Sequence, residues 1–81
     1  MNEDDIYARL ASVFRDVFDD DELAITPELT ADDVPEWDSM SHVRLMLSVE
    51  RAFDTRFAAA EIANLKNVGE LVSLIQRHVH A

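Results

Sequence analysis

The chain has 81 residues, with 17 Asp and Glu against 7 Lys and Arg and no cysteine. That length suits one small domain, residues 1–81, and an apolar share of 48% is too high for a disordered acidic tail. A net charge of −10 excludes the basic face that nucleic-acid binding requires and favours basic protein partners. The missing cysteines exclude a disulfide framework and Cys-based zinc sites. No apolar run reaches membrane-spanning length, and Met1-Asn2-Glu3-Asp4-Asp5 is the opposite of a basic signal-peptide start. A cytoplasmic protein without membrane insertion is therefore expected. The charge is unevenly spread: residues 1–38 hold 13 acids and 2 bases, whereas residues 39–81 hold 4 acids and 5 bases.

In chain order, Asn2 is a candidate cap for a first helix over residues 3–18, whose Glu3, Asp4 and Asp5 suit the positive end of its dipole. Ile6, Leu10, Val13, Phe14 and Val17 recur at three- and four-residue steps as one apolar stripe. Asp19-Asp20-Asp21-Glu22 opposes the negative helix end, so the helix is expected to stop at Phe18. Residues 19–38 form a loop that is long for a small domain. Pro27 and Pro35 keep it from becoming helix, and Leu23, Ile25, Leu29, Val34 and Trp37 are spaced anchors for pinning it to a core.

A second helix is predicted over residues 39–53. At about 100° per residue, Leu45, Met46, Val49, Ala52 and Phe53 share one arc, the core face. Met40, Val43 and Leu47 share another, flanked by Arg44, Glu50 and Arg51. Two readings stay open for this second stripe: a helix buried on both sides, or an exposed apolar strip rimmed by charge and offered to a partner. After Asp54-Thr55-Arg56, Phe57 plugs into the core and a short helix is expected over residues 59–65, with Ile62 and Leu65 inward. Asn67-Val68-Gly69-Glu70 has the form of an N-cap with a reciprocal acidic partner. It opens a last helix, residues 68–79, with Val68, Leu71, Val72, Ile75 and Val79 on one face. The predicted fold is all-α, a small four-helix bundle of three longer helices and one short one, with a long loop between helices one and two.

No catalytic or metal site emerges. Ser39 and His42 lie on one helix without the glycines of a nucleophile elbow, and His42 falls at the edge of the core face as a structural histidine. His78 and His80, two apart, point to opposite sides of a helix and read as a frayed terminus. What stands out is Ser39 at a helix start, after a long anchored loop and before an apolar strip. An ordinary N-cap serine explains its position but not its setting.

On these residues the chain resembles the acyl and peptidyl carrier proteins over nearly its whole length. Trp37-Asp38-Ser39-Met40-Ser41-His42-Val43 is similar to the family's Asp-Ser-Leu attachment motif and the helix after it. Glu50-Arg51-Ala52-Phe53 resembles the Glu-x-x-Phe end of that helix, and Asn67-Val68-Gly69-Glu70-Leu71-Val72 the start of the last one. The resemblance implies a covalent phosphopantetheine on Ser39, installed by a phosphopantetheinyl transferase that reads Asp38. It implies acyl groups held as thioesters and passed from a loading ligase to downstream transferases or synthases, with no catalysis by the chain itself. Met40, Val43, Arg44, Leu47 and Arg51 would then be the surface that partners recognise, and a monomer is expected. In carriers of primary fatty-acid synthesis, glutamates typically stand where Arg44 and Arg51 stand here, so a specialised pathway is implied. An aminoacyl or peptidyl carrier loaded by an adenylating ligase is the alternative. An unmodified helical interaction domain, with Ser39 as a plain cap, is the third.

Overall fold

A computed structural model describes residues 2–79. Four α-helices follow one another: α1 Glu3–Phe18, α2 Ser39–Phe53, α3 Ala59–Ala63 and α4 Val68–Val79. No strand occurs among the described residues, and the all-helical expectation holds. α1 packs on both α2 and α4. Ile6, Leu10 and Phe14 meet Leu45 and Val49 of α2 and Leu71, Leu74 and Ile75 of α4 in a core where each is fully buried.

The helix ends follow from local chemistry. Asn2 accepts the Asp5 N–H at 2.8 Å and caps α1. Asp19 closes it in the left-handed region at φ 52°, a conformation that aspartate tolerates better than most residues. Asp54 closes α2 in the same way at φ 51°. α3 is shorter than predicted. The Asn64 side-chain amide donates to the Ala60 carbonyl at 2.9 Å, competing with continuation of the backbone ladder, and Leu65 lies outside the helix although still half-buried.

The long loop is anchored as its apolar residues suggest. Val34 is buried, and Leu23, Ile25, Leu29 and Trp37 are half-buried against the core. A 3₁₀ turn at Ala31–Asp33 is tightened by the Thr30 N–H donating to Asp33 at 3.1 Å. The loop also ties to α4: the Val68 N–H donates to Leu29 O and the Gly69 N–H to Pro27 O, each at 2.9 Å. Two first-turn donors of α4, which no helix can satisfy internally, thus find loop carbonyls. The closeness explains Gly69, since a Cβ there would stand 3.1 Å from the Pro27 carbonyl oxygen. Asn67 caps α4 through the Glu70 N–H at 2.9 Å, but Glu70 reaches back to the Lys66 N–H, one residue earlier than in an ordinary capping box.

The expectation for the C-terminal histidines needs correction at His78. Its Nε2 lies 3.2 Å from both Glu61 carboxylate oxygens, and its ring meets Phe57 edge-on with centroids 5.0 Å apart. It ties α4 to α3 and is no frayed residue; His80 lies outside the described residues. No group of three or more potential metal ligands occurs among the described residues.

Candidate attachment serine and docking face

The loop reaches α2 through a tight exit. Trp37 N–H donates to Val34 O at 2.9 Å, and the indole packs edge-on against Phe14 with centroids 5.3 Å apart. With Trp37 fixed against α1, Asp38 stands at the helix entrance. Its Oδ1 accepts the Ser41 N–H at 2.9 Å, and its backbone carbonyl accepts the His42 N–H at 2.8 Å. Asp38 is therefore the N-cap, and Ser39 is the first helical residue. Ser41 donates its own hydroxyl to Glu36 O at 2.7 Å.

This geometry removes the plain-cap account of Ser39. The cap function belongs to its neighbour, and among the described residues no hydrogen bond engages the Ser39 hydroxyl, which is exposed. The Ser41 backbone N–H holds the Asp38 carboxyl below the usual aspartate value. A fixed carboxylate thus stands directly before an exposed hydroxyl on the positive end of a fifteen-residue helix.

The second stripe of α2 is displayed. Met40, Val43 and Leu47 are 79%, 60% and 53% exposed, whereas Leu45, Met46 and Val49 on the opposite arc are buried. Sequence left both arrangements open; packing decides, because α1 covers only the inner arc of α2. Arg44 and Arg51 border the strip and are exposed. Neither takes part in an ion pair among the described residues, where the only such contact is His78 with Glu61. Glu50, next to Arg51 in sequence, accepts the Phe57 N–H at 2.8 Å instead. Ser39, Asp38, Met40, Val43, Arg44, Leu47 and Arg51 are thus all exposed along one helix and its cap.

One pairing was not foreseen. Trp37 Nε1 donates to His42 Nδ1 at 3.1 Å, with the two rings nearly parallel. The expected structural role of His42 is met, but its partner is five residues back in the loop. The signal available in sequence was a tryptophan just outside a helix start with an acceptor one turn inside.

No family model matches the chain. The solution structure of a holo acyl carrier protein from Geobacter metallireducens superimposes with a TM-score of 0.86 at 40% identity, covering 91% of this chain and 85% of that one. The meromycolate extension acyl carrier proteins of Mycobacterium leprae and Mycobacterium tuberculosis are 27% identical over 77 residues, 95% of this chain and 67% of theirs. The fold and the exposed serine at a capped helix start define a carrier domain. The chain belongs to the acyl carrier protein family. Phosphopantetheine is the prosthetic group that membership implies.

Proposed function

We propose that the chain acts as a single carrier domain whose Ser39 bears phosphopantetheine through a phosphodiester. The observation that carries this reading is the free, exposed Ser39 hydroxyl beside a cap already supplied by Asp38. The residues present suit the group: a phosphodiester at Ser39 meets the first backbone N–H groups of α2 and the positive end of its dipole. Bound there, phosphopantetheine supplies a terminal thiol that holds an acyl group as a thioester. The chain's own residues present and orient. Asp38 fixes the helix start and offers a carboxylate to the transferase that installs the group, while the core of Phe14, Leu45 and Val49 keeps α2 rigid beneath it. Nothing in the chain is required to catalyse.

Met40, Val43 and Leu47 are the apolar strip that transferases, ligases and synthases bury, and Arg44 and Arg51 select among them by charge. Opposite a basic docking surface these arginines oppose like charge, which disfavours partners of that kind. The carrier therefore serves a specialised acyl pathway and not primary fatty-acid synthesis. The test is to purify the protein from its own cells, digest it, and read the mass of the peptide containing Ser39 before and after hydroxylamine. A phosphopantetheine on that peptide with a hydroxylamine-labile acyl group supports the reading. An aminoacyl group would move it to the peptidyl carriers, and an unmodified Ser39 would refute it.

A further inference from the structure

The contact between Trp37 and His42 is used by nothing assigned so far. The rings lie 17° from parallel with centroids 6.2 Å apart, Trp37 Nε1 is 3.1 Å from His42 Nδ1, and His42 Nε2 is 3.4 Å from the Ile62 carbonyl oxygen. An indole nitrogen only donates, so Nδ1 must present a lone pair. The proton of the neutral ring is then on Nε2, facing the Ile62 carbonyl. The indole in turn packs on Phe14 and Phe18 of α1. One imidazole therefore joins α1 through Trp37, α2 through its own backbone and α3 through Ile62, and Trp37 directly precedes Asp38 and Ser39.

Protonation would place an N–H on Nδ1 against the indole N–H, two donors with no acceptor between them. The charged groups around the ring do not offset this. Asp38, one turn earlier on α2, has its carboxylate turned to the Ser41 N–H. Glu61 on α3 is engaged with the Ala58 N–H and His78. From the segment before α4, Lys66 lines a cavity of about 60 Å³ together with His42, Trp37 and Met46, and no carboxylate lines it. From α1, the rings of Phe14 and Phe18 pack against the indole.

We propose that His42 is a positioning residue for Ser39: as the neutral Nε2–H tautomer it clamps Trp37, and its protonation loosens the turn that holds Asp38 and Ser39. That Ser39 is the attachment point rests on the carrier reading; the clamp does not. The test follows imidazole nitrogen shifts, the Trp37 indole N–H signal and Ser41 amide exchange in the full chain between about pH 8 and about pH 5. The same samples are assayed for Ser39 phosphopantetheinylation by a broad-specificity transferase, beside His42→Gln and His42→Phe. His42→Gln keeps an acceptor for the indole and does not titrate.

The expected result is an unprotonated Nδ1 at the alkaline end and an indole signal that moves in step with the titration of His42. Ser41 exchange, corrected for its intrinsic rate, rises about fivefold over that step, the factor one net hydrogen bond supplies. Relative to His42→Gln in the same tube, wild-type modification slows as His42 protonates, and His42→Phe is slow throughout. A proton on Nδ1 at alkaline pH, or an indole signal and Ser41 exchange indifferent to the titration, would overturn the clamp. Equal pH profiles for wild type and His42→Gln would overturn its role in positioning Ser39. If the spectroscopic changes occur but no protein gains phosphopantetheine, the clamp stands and the attachment reading falls.

Discussion

The two arcs of α2 make opposite demands on stability, and alanine substitutions separate them. Leu45 is fully buried and Leu47, two residues on, is 53% exposed. Leu45→Ala removes a side chain enclosed between α1 and α2, and such deletions cost about 2–5 kcal/mol through lost burial and the cavity left behind. For a domain of this size the total stability is on the order of 4–12 kcal/mol, so a central value near 3 kcal/mol removes a large part of it. It should lower the melting temperature by about 12–24 °C. Leu47→Ala removes a side chain already largely in water and should shift stability by no more than about 0.5 kcal/mol. Urea unfolding followed by circular dichroism measures both, provided the slopes agree and the transitions remain two-state. If Leu47→Ala were as destabilising as Leu45→Ala, the strip would be packed and not displayed, and its role as a docking face would fail.

Other outcomes follow from the same contacts. Arg44→Glu with Arg51→Glu should leave the urea midpoint nearly unchanged while slowing turnover by the carrier's own partners and improving service to a primary fatty-acid synthase; competent wild-type service there, with no effect of the swap on its own partners, would refute the charge argument. Asp38 has its carboxyl held below the ordinary value of 3.8, so the stability it adds is present above that value and is lost as pH falls through the lower folded value. The stability gap between wild type and Asp38→Asn should therefore narrow on acidification, read by urea unfolding at successive pH values. Gly69→Val should destabilise by about 1–3 kcal/mol despite removing a helical glycine, because the new Cβ meets the Pro27 carbonyl; hydrogen exchange at Val68 and Gly69 should rise with it. Glu61→Ala should speed exchange at the Ala58 amide, whose N–H it accepts at 2.8 Å, and leave the middle of α4 protected.

The fold was legible wherever a pattern is local. Three- and four-residue apolar spacing marks α1, α2 and α4, and Asn2, Asp19 and the two prolines punctuate them. Spaced apolar residues in the loop foretold its anchoring. What escaped the sequence depends on neighbours distant in the chain or on a choice between adjacent equals. Asp38 and Ser39 are both good caps, and it is the bonds from the Ser41 and His42 amides to Asp38 that identify the cap. A helical wheel separates Leu45 from Leu47 but does not say which arc another helix covers. His78 looked frayed because its partners, Glu61 and Phe57, approach from other elements. The early end of α3 coincides with an Asn64 side-chain bond to the Ala60 carbonyl that composition does not reveal.

With Asp38 capping α2, the Ser39 hydroxyl is left free to accept the prosthetic group. Intact mass after incubation with coenzyme A and a broad-specificity phosphopantetheinyl transferase tests this most directly, with Ser39→Ala alongside. Wild type should gain one phosphopantetheine and Ser39→Ala none. No addition to wild type, with its helical circular dichroism intact and a control carrier modified in the same tube, would contradict it.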